Sequence, residues 1–464
     1  MERLAAYPEY CRDLARWQDP VLHKHIRTQS DANGFARSDA WTPGSLLQPK
    51  SELRSSQCQR PIDSAVARAI DCVLAGNTLT EEAIAFLFSA RGPDFDAICE
   101  AADVLRRSVC GNTVSYVVNR NINYTNVCTY KCGFCAFSKG KTSVHLRGTP
   151  YDLALEEVAR RVREAWNRGA VEVCMQGGIH PDYTGETYLE LLRAAKNAVP
   201  DMHVHAFSPL EVTHGAATLG IAIADFLREL KKVGLGTLPG TAAEILDDEI
   251  RAAICPDKLS ADEWLNVVAT AHSLGLRTTA TIMYGHVETP RSWARHLLRL
   301  RDLQRLSGGI TEFVPLPFVH MEAPMYLRGQ ARKGPTFREA VLMHGVARLV
   351  LHPLITNIQV SWVKMGPVGA RLCLHSGVND LGGTLMNESI SRAAGTQHGQ
   401  EFPPAEMDSL IRSVGRTPQQ RTTLYANAPL AQQRKSYDVL DLLPPVQTPL
   451  RKSRKNPAAA SASP

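Results

Sequence analysis

Three cysteines lie within eight residues of the chain and together offer a set of metal-binding thiols. They are Cys128, Cys132 and Cys135, spaced as CxxxCxxC, with the aromatic Phe134 directly before the last of them. A cubane iron–sulfur cluster has four irons and is usually held by four cysteine thiolates. Three thiolates leave one iron open, so that a substrate or cofactor can bind it directly. The spacing therefore predicts a [4Fe-4S] cluster with one iron available for chemistry.

Zinc binding and disulfide pairing are the other roles to weigh for these cysteines. A structural zinc site usually has four ligands, often in two separated pairs; no second cysteine pair follows, although His145 could supply a fourth ligand. A disulfide framework is typical of short secreted domains. The remaining cysteines are instead scattered through a long chain, at positions 11, 58, 72, 99, 110, 174, 255 and 373. We favour the cluster.

Polar and glycine-rich segments follow the predicted strands and could form a ligand site. Gln176–Gly178 comes directly after an apolar strand, where glycines let backbone groups approach a ligand closely. Ser208 and Glu211 follow the next strand, and Glu244 lies beyond the one after that. For both acids the alternative is a carboxylate facing the N-terminal end of a helix dipole.

Histidines near the strand ends are weaker candidates, because a lone histidine is more often a satisfied polar residue than a ligand. His286 and Glu288 follow an apolar strand and could face the same pocket. Four further histidines carry little signal individually: His180, His203, His205 and His320.

The elements that must position these residues alternate between strand and helix. Apolar, β-rich runs predict about eight strands, and 3.6-residue periodicity predicts helices between them. The strands are predicted at 113–119, 171–175, 203–207, 235–238, 277–284, 310–314, 357–361 and 378–381. This alternation predicts an α/β protein with a (β/α)8 TIM-type barrel, in which all the polar segments gather at the carboxyl ends of the strands. A doubly wound sheet is the alternative.

The barrel is expected to occupy residues 113–385, with other segments around it. Residues 1–60 are rich in turn signals and predict an irregular N-terminal arm, and residues 61–112 predict a helical extension. Residues 386–445 are expected to complete the site face, and residues 446–464 to form a disordered basic tail.

Composition excludes several classes of function. The net charge of the 464 residues is +6, and Arg451, Lys452, Arg454 and Lys455 supply four of those charges, so the body gives no argument for binding nucleic acid or a membrane. No apolar run reaches the roughly 20 residues that span a bilayer, and the first residues do not resemble a secretory signal. Free cysteines and an oxygen-sensitive cluster favour a reducing, cytoplasmic location, with an organelle as the alternative.

Several longer motifs resemble one branch of the radical S-adenosylmethionine (SAM) superfamily. They include Asn-Tyr-Thr-Asn-Val-Cys128, Gln176-Gly-Gly-Ile-His-Pro, His205-Ala-Phe-Ser-Pro-Leu-Glu, Leu238-Pro-Gly-Thr-Ala-Ala-Glu and Met283-Tyr-Gly-His-Val-Glu-Thr-Pro. The branch contains the FO synthase subunits that form deazaflavin and the futalosine-pathway enzymes of menaquinone synthesis. Phe137-Ser-Lys-Gly140 and Arg147-Gly-Thr-Pro-Tyr151 favour the 4-hydroxyphenyl transferase half of FO synthase, and residues 7–44 resemble the connector between its two halves.

The resemblance implies cofactors and contacts for this chain. Cys128, Cys132 and Cys135 would hold the cluster, whose open iron binds the methionine end of SAM. Residues implied to contact SAM are Phe134, Gln176, Gly177, Gly178, Ser208, Glu211 and Glu244. The usual motif at the second strand has Gly-Gly-Glu, whereas this chain has Gln before the glycines and Ile179 after them.

The resemblance also implies a reaction and its partners. A 5′-deoxyadenosyl radical takes hydrogen from the amine of L-tyrosine, the Cα–Cβ bond breaks with release of 2-iminoacetate, and the 4-hydroxybenzyl group joins 5-amino-6-(D-ribitylamino)uracil. The partner half of FO synthase closes the deazaflavin ring, and ferredoxin or flavodoxin supplies electrons. The alternatives are aminofutalosine synthase, dehypoxanthine futalosine cyclase, and a non-catalytic metal-binding scaffold.

Overall fold

A computed structural model describes residues 20–49, 61–139, 149–438 and 440–446 of the chain. Their helices, numbered in chain order, are α1 (Pro20–Gln29), α2 (Ser64–Leu74), α3 (Glu81–Leu87), α4 (Pro93–Cys110), α5 (Leu155–Asn167), α6 (Gly185–Ala198), α7 (Pro209–Leu219), α8 (Ile223–Val233), α9 (Asp248–Ile254), α10 (Ala261–Ser273), α11 (Pro290–Ser307), α12 (Pro324–Leu327), α13 (Phe337–Leu351), α14 (Trp362–Leu374), α15 (Ile390–Ala394), α16 (Pro404–Ser413) and α17 (Leu430–Lys435).

Within the described ranges, ten strands alternate with these helices. They are β1 (Thr113–Val117), β2 (Asn119–Asn123), β3 (Glu172–Gln176), β4 (His203–Ala206), β5 (Thr237–Leu238), β6 (Arg277–Tyr284), β7 (Ile310–Pro317), β8 (Asn357–Ile358), β9 (Asp380–Gly383) and β10 (Thr417–Arg421). Strands β2 to β8 form one parallel sheet in sequential order. Each predicted strand is therefore present, and the first continues past Val118 into β2.

The sheet closes into a barrel through β9. On one side of β9 the amide of Val360, just after β8, donates to the carbonyl of Asp380 at 3.0 Å. On the other side the amide of Thr384 donates to the carbonyl of Val117 at 3.0 Å, and β9 pairs in parallel with β1. Strands β2 to β9 thus make the eight-stranded ring of a (β/α)8 TIM-type fold, as the sequence predicts.

Helices cover the outside of this ring because each buries one apolar face. In α5 the buried apolar residues Val158, Val162 and Ala165 recur at helical spacing. All residues of α13 are buried, because this helix packs against both α4 and the barrel strands. The predicted helices of residues 61–112 are present as α2, α3 and α4.

Several elements differ from the sequence-based expectation. The described part of the N-terminal arm is not wholly irregular, because it begins with α1. Helix α7 was not predicted, since its apolar residues are mostly small and show little periodicity. Strand β10 was not predicted either, because Thr-Pro-Gln-Gln-Arg lacks the apolar character of a barrel strand.

The segment that follows the barrel in the chain has elements at both ends of the barrel. Residues of α15 lie at the carboxyl ends of the strands, where a site was expected. Strand β10 instead pairs with β1, and Arg421 and Thr423 bond Asp380 and Glu172 at the beginnings of β9 and β3. Of these elements, α15 therefore borders the cavity, whereas β10 lies at the beginnings of the strands. The predicted basic tail lies outside the described residues, apart from Val446.

No single described helix is long and apolar enough to cross a bilayer. The consecutive helices α7 and α8 pass that test only as a pair, and they meet at an angle of 105°.

Candidate active site

One cavity of about 270 Å³ lies at the carboxyl ends of the barrel strands. Its walls come from the loops after β2, β3, β4 and β5, from the end of β7, and from α14 and α15. Chemistry in (β/α)8 proteins is built at this end of the barrel. All ten residues predicted from the sequence line this cavity: Cys128, Cys132, Phe134, Cys135, Gln176, Gly177, Gly178, Ser208, Glu211 and Glu244.

Backbone hydrogen bonds fasten the cysteine loop to its surroundings. The amide of Thr129 donates to the carbonyl of Ile179 at 2.9 Å, and the amide of Gly133 donates to the carbonyl of Ile254 at 2.8 Å. Two sulfurs also accept backbone hydrogen bonds at 3.3 Å, from Ile179 to Cys128 Sγ and from Ser138 to Cys135 Sγ. Such donors favour the negatively charged form of a thiol and help to set the potential of a cluster bound to it.

The three thiols suit a cluster better than a single metal ion. Among the described residues no three His, Cys, Asp or Glu side chains converge on one point that could hold an ion. In a cubane each cysteine binds a different iron, so the sulfurs need not converge. His145, which was weighed as a zinc ligand, lies outside the described residues.

Burial makes Cys132 and Cys135 poor thiolates without a cation. Burial raises the pKa of the Cys132 thiol to about 12 and also raises the pKa of Cys135. A coordinating metal reverses this effect, because it deprotonates the thiol that it binds. Cys132 and Cys135 would therefore carry a negative charge only when a metal is bound to them.

Gly177 and Gly178 are needed because the chain passes very close to its neighbours. A Cβ atom at Gly177 would lie 2.3 Å from the Tyr124 ring. A Cβ atom at Gly178 would lie 2.2 Å from the carbonyl oxygen of Val127 and 2.9 Å from Cys128 Cβ. The end of β3 thus lies directly against the cysteine loop, and any side chain here would push the two apart.

Glu211 caps the N-terminus of helix α7, which is the alternative role that the sequence offered for this acid. Its Oε2 accepts the amide of Ser208 at 2.7 Å and also the Ser208 hydroxyl. The amide of Glu211 donates in return to the Ser208 hydroxyl at 3.4 Å, which completes a capping box. Its Oε1 accepts the hydroxyl of Tyr124 and the amide of Gly177, the latter at 3.3 Å. Burial raises the pKa of Glu211, although these donors oppose that effect. Glu211 therefore holds Gly177 in place, with both carboxylate oxygens already bonded.

Strained backbone surrounds this part of the cavity. Phe207, Ala242 and Glu244 have φ values of 53°, 61° and 44°, which residues other than glycine rarely adopt. All three follow β4 or β5, and such strain concentrates at ligand sites. The carbonyl of Glu244 is fixed by the amide of Met283 at 2.7 Å.

Lys258 is a cavity residue that the sequence-based prediction missed. Its Nζ lies 2.7 Å from Glu244 Oε1 and 5.2 Å from the centre of the Phe134 ring. Burial alone would lower the pKa of Lys258, but the nearby Glu244 carboxylate and the Cys132 and Cys255 thiols raise it instead. A positive charge therefore lies beside the cysteine loop.

Lys364 and Ser391 also line the cavity and were missed. Lys364 lies within Ser361-Trp-Val-Lys-Met-Gly, a further motif in which the chain resembles the same branch of the superfamily. That motif was the available signal, but it follows a strand of only two residues, whose carboxyl end is hard to locate from sequence.

The remaining candidates do not line this cavity. His286 and Glu288 lie at a separate cavity of about 410 Å³ beside α1 and α12, and both are almost completely buried. His203 and His205 bond Thr237 within the barrel, where burial lowers the pKa of His205 to about 4. The proposal that His286 and Glu288 face the cysteine pocket is therefore wrong.

Glu288 is instead a stabilising acceptor, and its replacement should weaken the fold. Its carboxylate accepts the amide of His286 and the indole N–H of Trp293, both at 2.9 Å, and pairs with Arg332 at 3.3 Å. Burial favours the neutral acid, but His286, Arg332 and backbone donors outweigh it and lower the pKa of Glu288. Glu288→Gln should lower the free energy of unfolding at pH 7 by about 3–5 kcal/mol, measured with urea.

The same contacts fix the pH dependence of this effect. Because the folded-state pKa is lowered, the contribution of Glu288 is fully present above the unfolded value of about 4.3 and is lost as pH falls below it. The difference in free energy of unfolding between wild type and Glu288→Gln should therefore become smaller in acid. The exposed Glu249, at the same cavity, provides the control Glu249→Gln, which should change stability by less than about 0.5 kcal/mol.

The parallel barrel and its cysteine-lined cavity define a protein built like the radical SAM enzymes, and family comparison agrees. Residues 122–300 match the Radical SAM superfamily model, and residues 307–434 match the model of the CofH/MqnC C-terminal region. The chain belongs to the radical SAM superfamily, in the branch of FO synthase and its 4-hydroxyphenyl transferase. Enzymes of this superfamily use a [4Fe-4S] cluster and SAM.

Individual relatives place the chain more closely within that branch. It is 52% identical over 328 residues to the 5-amino-6-(D-ribitylamino)uracil--L-tyrosine 4-hydroxyphenyl transferase of Methanopyrus kandleri, covering 71% of this chain and 88% of that one. It is 44% identical over 479 residues to FO synthase of Streptomyces coelicolor, covering 94% of this chain and 55% of that one. The chain therefore spans about half the length of the FO synthases that it matches.

Solved structures agree on the fold. Methylornithine synthase (PylB) matches with a TM-score of 0.59 and 19% identity, covering 75% of this chain and 97% of that one. The FeFe-hydrogenase maturase HydG from Carboxydothermus hydrogenoformans matches with a TM-score of 0.58 and 14% identity, covering 78% and 80%. At these identities the likeness concerns the fold alone.

Proposed function

We propose that this chain transfers the 4-hydroxybenzyl group of L-tyrosine to 5-amino-6-(D-ribitylamino)uracil in the synthesis of the deazaflavin FO. The observation that carries the proposal is the 52% identity to the Methanopyrus kandleri transferase, across 88% of that protein. The cavity supports it, because the cysteine loop, the Gly-Gly segment and an apolar wall meet there. The products would be the joined uracil, 2-iminoacetate, methionine and 5′-deoxyadenosine.

Cys128, Cys132 and Cys135 would hold the [4Fe-4S] cluster. When bound, the cluster and SAM would supply the radical that takes hydrogen from the amine of tyrosine. The backbone of Gln176–Gly178 borders the cavity within contact of the cysteine loop and would hold SAM there. Ser208 and Glu211 would act indirectly, because their hydrogen bonds position Gly177. Phe134 and Glu244 would contact SAM.

The rest of the cavity suits an aromatic substrate that has to be kept from water. Leu316, Pro317, Phe318 and Val319 form an apolar wall at the end of β7, and Ile390 adds to it from α15. An apolar wall can accept a phenol ring and exclude water from reactive species. Binding both substrates in one cavity would place the tyrosine fragment beside the uracil ring that it joins.

The relatives named FO synthase suggest the other partners. This chain matches about 55% of the length of each, and we propose that the other half of FO synthase is its partner and closes the deazaflavin ring. The chain would need a one-electron donor such as ferredoxin or flavodoxin, and we expect both partners in the cytoplasm.

An anaerobic assay tests this function. The protein, reconstituted with iron and sulfide, would be mixed with reductant, SAM, L-tyrosine and the ribityl diaminouracil, and the product mass recorded. Tyrosine should be consumed only when the diaminouracil is present, with 5′-deoxyadenosine and 2-iminoacetate released. No consumption of tyrosine by a cluster-loaded protein that cleaves SAM would contradict the proposal.

The same assay separates the alternatives. The C-terminal family model covers the CofH and MqnC proteins together, so the futalosine-pathway substrates are the first to try in place of tyrosine and the uracil. Turnover of one of those substrates would assign the menaquinone branch. Stoichiometric zinc with no cleavage of SAM would assign a metal-binding scaffold.

A further inference from the structure

Lys364 is a partly buried cation in the cavity, and its hydrogen-bond partner is a neutral hydroxyl. It lies in the first turn of α14, and its Nζ donates to the Ser391 hydroxyl at 3.0 Å. Among the described residues no carboxylate lies within ion-pair distance of this ammonium, whereas Lys258 pairs with Glu244 in the same cavity at 2.7 Å. The cavity therefore holds one neutralised lysine and one that can accept an anion.

The nearby acid Glu388 is already used elsewhere. Both of its carboxylate oxygens accept the amide of Ser391, at 3.0 and 2.9 Å, and one also accepts the amide of Arg392. Glu388 thus caps α15 and affects Lys364 only through its field, while burial lowers the pKa of Lys364. A partly buried ammonium whose described acceptor is a neutral hydroxyl favours an anionic ligand, and a bound carboxylate would supply that charge.

The backbone of Lys364 is fixed from the N-terminal arm. The amide of Gly44 donates to the carbonyl of Lys364 at 2.7 Å, and the amide of Gln397 donates to the carbonyl of Gly44 at 2.8 Å. Gly44 has a φ of 80°, and a Cβ atom there would lie 2.6 Å from Thr396 Cγ2. Hydrogen bonds thus join the arm, α14 and the segment after α15 at the backbone of Lys364.

The position of Lys364 in the barrel suits a substrate rather than SAM. The cysteine loop and the residues proposed to hold SAM follow β2, β3, β4 and β5. Lys364 follows β8 and reaches the cavity beside the apolar residues after β7. An anionic group held by Lys364 would therefore lie next to the apolar wall, in another sector of the ring.

We propose that Lys364 binds the α-carboxylate of the amino-acid substrate. This inference rests on the proposed function, in which L-tyrosine is the substrate that has a free carboxylate. The uracil has no carboxylate, and the carboxylate of SAM would be held at the cluster. The phenol ring would pack on the apolar wall. When the Cα–Cβ bond breaks, the carboxylate stays with the 2-iminoacetate fragment, so Lys364 would retain that fragment while the 4-hydroxybenzyl group leaves.

Binding measurements on the cluster-loaded protein test the assignment. Dissociation constants for L-tyrosine and for tyramine, which lacks the carboxylate, would be measured anaerobically with SAM present. Wild type should prefer tyrosine, and Lys364→Met should weaken tyrosine binding by about 10- to 100-fold, the loss expected for a hydrogen bond to a charged group. Tyramine binding and affinity for the diaminouracil should change by less than about twofold.

Matched variants keep the test decisive. Lys364→Arg should retain part of the preference for tyrosine, and Lys333→Met, whose ammonium bonds Gln29 outside the cavity, should retain all of it. If Lys364→Met does not fold, Lys364→Gln replaces it in the same comparison. An unchanged preference for tyrosine over tyramine in either variant overturns the assignment. If wild type neither binds nor consumes tyrosine, the proposed function itself fails, and the assignment fails with it.

Discussion

Replacing Cys132 with alanine is expected to remove the cluster and with it all turnover. Each of the three cysteines would hold a different iron, and two thiolates cannot retain a cubane whose fourth iron is already open. Turnover should fall by more than the roughly 10- to 100-fold that follows from altering residues around a metal site, because here a ligand itself is removed. Iron content per chain and the visible absorbance of the reconstituted protein would measure the cluster directly, and tyrosine consumption would measure turnover.

Cys110→Ala is the matched control for this experiment. Cys110 ends α4, is partly exposed, and its Sγ lies 3.7 Å from the carbonyl oxygen of Thr356, away from the cavity. The control should keep about four irons per chain and full activity. Normal iron content and activity in Cys132→Ala would show that Cys132 is not a ligand.

The barrel could be predicted from sequence because its strands are buried on both faces. Such strands appear as short β-rich apolar runs. Seven of the eight predicted runs are strands of the ring, and the first run, 113–119, covers β1 and the start of β2. Strand β10 escaped prediction because it lies outside the ring and is polar, and α7 because its apolar residues are mostly small and show little periodicity. Sequence patterns predict an element well where burial requires apolar residues. They predict it less well where hydrogen bonds between polar groups hold the element in place.

The site was predicted in part for the same reason. Residues directly after long strands, such as the cysteine loop and Gln176–Gly178, reach the cavity as topology requires. Lys258 follows a helix rather than a strand, and Lys364 follows a two-residue strand, so chain order alone did not place them. Whether an acid is free or already bonded also depends on neighbours distant in sequence, as the contact between Tyr124 and Glu211 shows.

Gly178→Ala is expected to disrupt the site as severely as loss of a cysteine, although it removes no functional group. The new Cβ atom would meet the carbonyl oxygen of Val127 at 2.2 Å, and that contact is with backbone, which cannot rotate away. The amide of Gly178 also donates to the carbonyl of Thr125 at 2.9 Å, and this hydrogen bond would be strained or lost. Because Cys128 follows Val127, displacement of this segment moves the first ligand. We expect a large loss of bound iron and of SAM affinity.

Gly133→Ala separates this effect from a general intolerance of the cysteine loop. Gly133 lies between Cys132 and Phe134, yet a Cβ atom there would have its nearest contact at 3.4 Å, to Met325 Cβ, which is ordinary van der Waals distance. Gly133→Ala should therefore retain iron and SAM binding, while Gly178→Ala loses both and keeps its helical circular dichroism, since the outer helices do not depend on the loop. Equal iron content in the two variants would mean that the close approach of β3 to the cysteine loop does not determine the geometry of the cluster site.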